Sequence, residues 1–554
     1  MARGEALRAA KLRVWSEPGL HLIVTSRDEV DIRDELQPTH AEDISLRNED
    51  IGRDISTFIS DHLRNTRRLH RWKSFHDRIA QGLIERADGV FRWVECQFTS
   101  LENCPRSEAH LEDLLTSLPR SLDETYERML LNIDEGSAEY ARRTLTFLCC
   151  AKEPLTVAEV IEAMAVELGD IPRLNTKRRL HDQDDLHQVC PGLIEVDVNP
   201  DAKELSTVRI AHFSVQEYLE SERIRQQRVV MFHVETEKAN AEIASLCLAY
   251  LLEPEVYNGD RSNFPLTVYA VRYWHRHYDE NYQTTHLPDL AKRLFRDHNG
   301  ALRNWIEQWN SPILAQPSIQ SPYDDGSGLY WASKLGLETV VSDLLSRSPT
   351  LVDSKHNKRL GGTISVAVSG GNEAVVRLLL DNGADVNSER SWFRPLTTAP
   401  ERSNEAMVRL LLDNGADVNP GGTITSPLSA AAGDGHEAVV RLLLENGAFV
   451  NTRCESRYGS TALIAAARSG NAATVRLLLD NGAGDQATRE DLVFAPENAV
   501  EMGSEDVVRL LLENGTDVDD DANRAIVRLA LRTAQHGIAK LILEHGAMQQ
   551  GGGE

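Results

Sequence analysis

RLLLDNGADVN at residues 377–387 recurs letter for letter at 409–419. Looser copies follow at 441–451 (RLLLENGAFVN), 476–486 (RLLLDNGAGDQ), 509–519 (RLLLENGTDVD) and 540–550 (KLILEHGAMQQ). Their glycines, Gly383, Gly415, Gly447, Gly482, Gly515 and Gly546, lie 31 to 35 residues apart. A catalytic loop is needed once, so a string used six times builds something repetitive. Each copy reads as a helix with a stop. In GGNEAVVRLLLDNGADVN (370–387), Asn372 predicts an N-cap, with Glu373 in the first turn where the dipole favours negative charge. Val375, Val376, Leu379 and Leu380 recur at helical spacing and form an apolar face. Gly383 then ends the helix as a left-handed residue with no Cβ to clash, and Asp385–Asn387 leave as an extended, turn-forming segment.

A second column stands behind the first. Ala367, Ala399, Ala431, Ala466 and Ala499 each precede by five residues Asn372, Asn404, His436, Asn471 and Ser504, and Ala332 keeps the place in a diverged unit at 326–353. The small residue implies a short preceding helix that packs closely on the next. One such pair cannot bury its own apolar face, so neighbouring units must stack. A coiled-coil seam is the lesser reading of the leucine runs, because a glycine after each of them breaks any long helix.

The pattern resembles the ankyrin repeat, a turn and two antiparallel helices of ~33 residues, over 326–550 in about seven units. The family's T-P-L-H opening is degenerate here: SerProLeuSer (426–429) and ThrAlaLeuIle (461–464) come nearest, and the unit at 488–503 departs most. The resemblance implies a concave surface of hairpin tips and first helices that binds a protein partner. The tips vary while the helices stay constant: SERSWFR (388–394), PGGTITS (420–426) and TRCESRYG (452–459). Trp392, Phe393, Arg394, Arg457 and Tyr458 are therefore the candidate partner-binding residues, being types enriched at interface hot spots. Trp392 and Phe393 would serve equally well to cover a seam between units.

The front half reads differently. LHLIVTSR (20–27) suggests a buried strand ending in an arginine, and amphipathic stretches follow at 43–63, 77–98 and 114–133. Thr156 and Glu159 predict a capping box, as do Ser214 and Glu217. GLIEVDV (192–198) and STVRIAHF (206–213) read as a β-hairpin wing. The combination is similar to the C-terminal part of the NACHT-type signal-transduction NTPases that occur with ankyrin repeats in filamentous fungi. That resemblance implies a NACHT-like remnant at 1–64, a helical segment at 65–137, a winged-helix-like domain at 138–230 and a second helical segment at 231–308. A Pro-, Ser- and Gly-rich linker (309–325) would then lead into the array. It also implies that Arg27 faces a nucleotide γ-phosphate and that His212 touches the β-phosphate of bound ADP. The simpler reading of His212 is a histidine seated beside a helix N-terminus.

An NTPase needs a G-x-x-x-x-G-K-[ST] loop to cradle phosphates, and the 554 residues contain none; only nineteen precede the LHLIVTSR strand. The expectation is a chain lacking the P-loop half, with no cofactor. Arg27 and His212 count as nucleotide contacts only where that half is supplied. GxGxxG, GxSxG and HExxH are absent too, so no catalytic residue is assigned. His275 and His277, two apart on a helix, point in different directions and make no metal pair.

A formal charge of −25 argues against nucleic acid or an anionic membrane as partner. The basic stretches RRLHRWK (67–73) and TKRRL (176–180) read as solvated helix faces. Seven scattered cysteines fit reduced thiols in a cytoplasmic or nuclear protein. The reading is a mostly α chain: a helical front half with a short α/β remnant and a winged-helix-like module, then an ankyrin solenoid. Its expected role is a non-enzymatic protein-interaction scaffold with a degenerate NACHT-derived regulatory front half. The alternative is a truncated piece of a nucleotide-switched NACHT–ankyrin receptor of the fungal innate-immunity or heterokaryon-incompatibility type.

Overall fold

The computed structural model describes residues 48–199, 205–258, 263–279, 286–296, 300–310, 328–353, 362–387, 394–399, 404–421, 425–454, 461–483, 489–514, 520–533 and 535–551. The chain divides into two compact units, the first of residues up to Asn132 with Gln227–Val229, the second of Ile133–Gln226 and Val230 onward.

In the first unit, α1 (Asn48–Asn65), a 3₁₀ segment (Arg67–Phe75), α2 (His76–Ala87), α3 (Phe91–Asn103), α4 (Glu108–Thr116) and α5 (Leu122–Leu131) follow one another. Ile55, Ile59 and Leu63 of α1 share one core with Leu69, Trp72, Leu83, Trp93, Phe98 and Leu118. The boundary expected between 64 and 65 thus falls inside a single packed cluster. Buried indoles need a partner, and both find a carbonyl: Trp72 donates to Leu101 O (3.3 Å) and Trp93 to Pro119 O (3.2 Å).

The second unit opens with α6 (Ala138–Cys150), β1 (Leu155–Thr156) and α7 (Val157–Met164). The Thr156–Glu159 capping box is present, each side chain bonded to the other residue's backbone N–H. After the short β2 (Val166–Glu167) and β3 (Arg173–Leu174) come α8 (Gln183–Val189), β4 (Ile194–Asp197), β5 (Thr207–Ile210) and α9 (Phe213–Glu220). β5 lies between β1 and β4, antiparallel to both, with Leu155 opposite Val208 and Ile194 opposite Ile210. Helices with a terminal hairpin make this a winged helix. The second expected capping box is corrected: α9 begins two residues earlier than a Ser214 cap requires, so Ser214 lies inside its first turn and His212 is the N-cap.

Helix α10 (Thr236–Leu251) is the spine of the next segment, with Ile243, Leu246, Leu248 and Leu251 all buried. Each such side chain contributes about 1.5–3 kcal/mol when fully removed from water. α6 is tied to it by Arg142, whose guanidinium holds Glu242 at 2.6 Å. α11 (Pro254–Asn258), α12 (Thr267–His277), α13 (Leu287–Phe295) and α14 (Ala301–Trp309) complete the segment.

The array then stacks helix pairs: α15 (Gly328–Leu335) with α16 (Glu338–Arg347), α17 (Thr363–Gly370) with α18 (Glu373–Asp381), α19 (Pro395–Thr398) with α20 (Glu405–Asp413), and α21 (Pro427–Gly433) with α22 (Glu437–Glu445). It continues with α23 (Ala462–Ser469) and α24 (Ala472–Asp480), α25 (Arg489–Glu501) and α26 (Glu505–Glu513), and α27 (Asp520–Arg532) and α28 (His536–Gly551). The alanine column is buried throughout, and Ala530 extends it to the last pair. Its carbonyls receive the turn-closing bonds Leu337 N→Ala332 O (2.9 Å), Asn372 N→Ala367 O (3.1 Å) and His436 N→Ala431 O (3.0 Å).

The NGA of the repeated string is a Schellman stop. Gly383 has φ +87°, its N–H reaches Leu380 O (2.9 Å), and Ala384 N–H reaches Leu379 O (3.0 Å). The same two bonds recur at Gly415, Gly447 and Gly482, while Gly515 lies outside the described residues. The sixth copy departs from expectation: α28 continues through Gly546 to Gly551, so that glycine ends nothing.

Candidate functional site

The array's hairpin edge is where its structure and its sequence variation meet. Asn387, the last letter of the repeated string, donates from Nδ2 to Gly415 O (2.9 Å) and accepts from Asp417 N–H (2.7 Å). Asn419 repeats both contacts one unit on, with Gly447 O (2.8 Å) and Phe449 N–H (2.7 Å). Asn451 reaches Gly482 O at 3.3 Å. Each asparagine is therefore a rung to the next unit, not merely a turn residue.

A second set of rungs joins the helix starts and corrects the expected role of Asn372. Its side chain makes no cap to its own helix. Nδ2 instead donates backwards to Ser333 O (3.1 Å) and Lys334 O (3.3 Å). Asn471 manages both tasks, capping Thr474 N–H (3.1 Å) and donating to Gly435 O (2.9 Å). The outer helices carry i,i+4 pairs, Arg377–Glu373 (3.3 Å), Arg409–Glu405 (2.6 Å), Arg441–Glu437 (2.8 Å) and Arg509–Glu505 (2.9 Å), and a further acid one turn on, Asp381, Asp413, Glu445 and Glu513, leaves that face net negative.

Asp385, Asp417 and Asp517 share one place in their copies of the string, which Phe449, Gly484 and Met548 take in the other three. In the two identical copies, Asp385 and Asp417 accept from the N–H of Asn387 and Asn419, both at 2.9 Å. The third copy has Phe449 there, unable to accept that bond and 68% exposed. An aromatic ring held mostly in water, where the two identical copies place a hydrogen-bonding Asp, gains little from packing. The sequence carried the signal in the change from NGADVN to NGAFVN, legible only once the Asp's task is known.

Of the five candidate partner residues, Trp392, Phe393, Arg457 and Tyr458 lie outside the described residues. Arg394 is half-buried rather than freely presented, and its guanidinium donates to Gly421 O at 3.3 Å, bracing the next tip. Arg27 also lies outside the described residues. His212 caps α9: Nδ1 accepts from Ser214 N–H (3.2 Å) and lies 2.6 Å from Ser214 Oγ, which places the ring proton on Nε2.

Burial pushes the thiols of Cys150 and Cys190 up to about 11 and about 12, and those of Cys149 and Cys247 well above an ordinary cysteine's, so these sulfurs stay protonated and are poor nucleophiles. Among the described residues no group of three His, Cys, Asp or Glu side chains is placed to hold a metal, and no helix is long and apolar enough to cross a membrane. In the first unit an open cleft of about 700 Å³ is lined by Ile84, Glu85, Arg86, Asp88, Thr116 and Arg120, with Arg86 already bonded to Leu118 O (3.0 Å).

Residues 126–231 match the family described as GPI inositol-deacylase, winged helix domain, and residues 329–422 and 420–491 match ankyrin repeats. Among curated proteins, the azaphilone pigments biosynthesis cluster protein L of Monascus ruber is 39% identical over 302 residues, covering 51% of this chain and 64% of that protein. The vegetative incompatibility protein HET-E-1 of Podospora anserina is 29% identical over 154 residues, covering 27% of this chain and 11% of that protein. The chain thus spans less than two thirds of either relative. Among solved structures, the human ASB11 ankyrin repeat domain is 22% identical, with a TM-score of 0.35, over 40% of this chain and 98% of that one.

Proposed function

We propose that this protein is a non-enzymatic interaction scaffold whose ankyrin array holds a protein partner along the hairpin edge, with Phe449 as an anchor. The winged-helix half supplies a second, regulatory surface. The observation that carries the reading is the exposed ring of Phe449 at the position where the two identical copies place a hydrogen-bonded Asp. Ankyrin matches over 329–491 support a protein as the ligand. An acidic α8, capped by Asp182 and carrying Asp184 and Asp185 in its first turn directly before the wing, disfavours DNA, because a recognition helix needs basic residues. The test is proximity labelling with the full chain and with Phe449→Asp, followed by titration of the purified partner against both. Loss of binding in a folded variant supports the assignment; equal binding removes it.

A second reading has its own support: the chain would be part of a NACHT-type nucleotide-switched receptor, acting in the cytoplasm of a filamentous fungus. The winged-helix match, the partial similarity to HET-E-1 and the placement of His212 at a helix start all favour it. ATP or ADP that bound only the folded state at 100 times its Kd would stabilise the chain by about 2.7 kcal/mol. A nucleotide-dependent rise in Tm would displace the pure scaffold reading, and no rise at millimolar nucleotide would retain it.

A further inference from the structure

The winged-helix domain and the array lie far apart in sequence, yet within the second unit the packing between them is continuous. Its hub is His277, the last residue of α12 and 1% exposed. Nε2 lies 2.8 Å from Tyr269 Oη, and Nδ1 lies 2.6 Å from Asn240 Oδ1 on α10. Asn240 spends its Nδ2 on Thr236 O (2.7 Å), so its Oδ1 can only accept. The ring proton of His277 therefore sits on Nδ1, and Nε2 accepts from the Tyr269 hydroxyl. That hydroxyl in turn accepts from Lys152 N–H (3.2 Å), in the turn before β1, while Lys152 Nζ also donates to Asn240 Oδ1 (3.2 Å). Beside it, Tyr273 donates to Glu153 (2.7 Å). One proton arrangement satisfies the whole set.

The other side of α12 leads into the array. Tyr278 Oη lies 3.2 Å from Thr339 Oγ1 on α16. Trp305 of α14 donates to Val271 O (3.2 Å) and meets Trp331 of α15 edge-on, centroids 5.2 Å apart, with Trp309 6.0 Å from the same ring. Arg296 at the end of α13 holds Asp343 of α16 through two bonds, at 3.0 and 3.3 Å. Of the linker expected at 309–325, Trp309 ends α14 and residues from 311 on lie outside the described residues, as do 326 and 327, but the helices on either side are in ring contact.

We propose that this joint makes the winged-helix domain and the array one cooperative body, with His277 as the positioning residue that seats α12 between them. A change of state in the array, partner capture included, then reaches the winged helix through α12. A close-packed aromatic joint changes between discrete arrangements and does not yield gradually, and coupling of this kind is established by cross-perturbation.

The experiment uses the full chain and hydrogen exchange read by mass spectrometry. Val340→Ala removes buried methyls in α16, inside the first array unit. The expected result is exchange at least tenfold faster in α7 and α9 as well as in α15 and α16. With Tyr269→Phe or His277→Gln added, the same lesion should leave exchange in α7 and α9 within twofold of that joint variant alone. Tyr269→Phe keeps the ring and tests the hydroxyl without removing packing, so it remains informative should His277→Gln fail to fold. A lesion whose effect stays in the array in the otherwise unaltered chain overturns the coupling. A lesion whose effect still spreads undiminished through Tyr269→Phe removes the hub role assigned to His277.

Discussion

Replacing Phe449 by Asp separates binding from stability, because the two effects have opposite origins. The ring is about two thirds exposed; for a side chain of ~200 Å² this leaves ~130 Å² for a partner to cover, worth at most about 3 kcal/mol at ~25 cal/mol/Å². Allowing for incomplete cover, loss of about 2 kcal/mol raises Kd roughly 30-fold. Within the folded chain the change is nearly neutral. Giving up the covered third costs about 1.5 kcal/mol, offset by a new acceptor for Asn451 N–H of the kind Asp385 and Asp417 provide, worth about 0.5–1.5 kcal/mol. Tm should therefore stay within about 3 °C of the parent. Isothermal titration against the purified partner and a thermal melt read the two quantities. Phe449→Asn supplies the same acceptor without charge and should weaken binding equally, excluding repulsion as the cause. A Kd within threefold of the parent refutes the anchor role, and a Tm lowered by more than about 6 °C assigns the ring to packing.

Two glycines in similar conformations should respond differently to alanine. Gly336 (φ +77°) faces the Asn372 side chain, where a Cβ would stand 2.5 Å from Oδ1, whereas Gly383 (φ +87°) has open space. Gly383→Ala should cost about 1–2 kcal/mol, the left-handed penalty alone, and Gly336→Ala clearly more; equal costs in urea melts would discount the Asn372 contact. Arg179 lies 2.6 Å from Glu162, itself 2% exposed, so Arg179→Ala strands a buried carboxylate and should destabilise by about 2–4 kcal/mol. Glu162→Gln added to it should recover part of that loss, and no recovery would mean that Arg179 acts through packing. Burial, with smaller contributions from Lys152 and His275, holds the His277 imidazole down at about 3. The folded state therefore refuses a proton that the unfolded state takes near 6.5, and stability is lost as pH falls from about 6.5 towards 3. By pH 5 His277 accounts for about 2 kcal/mol of that loss, and a His277→Gln chain should show a correspondingly shallower fall in Tm between pH 7 and 5.

What was legible in the sequence was local. RLLLDNGADVN contains its own helix face and its own stop, since apolar spacing and a glycine after the last turn act within a dozen residues. The Thr156–Glu159 cap is likewise a four-residue device, and it is present. Where local reading failed, a partner from another unit or a neighbouring residue competed for the same group. Asn372 has the composition of a cap but bonds backwards to Ser333, and Ser214 yields its cap position to His212. Gly546 repeats the stop residue without the stop.

The sequence by itself determined that the array is a stack of like units, because a period of 31 to 35 residues with one small and one left-handed column admits no other economical packing. The tertiary structure alone decided what the repeated asparagine is for, since its acceptor, Gly415 O for Asn387, lies 28 residues away. It alone showed Phe449 to be bare, because exposure depends on what every other segment covers. It alone joined His277, Tyr269, Asn240 and Lys152, four residues from three separate stretches whose hydrogen bonds exist only once the helices have docked. Periodicity is a property of the chain read along its length, and contact across the length is a property of the fold.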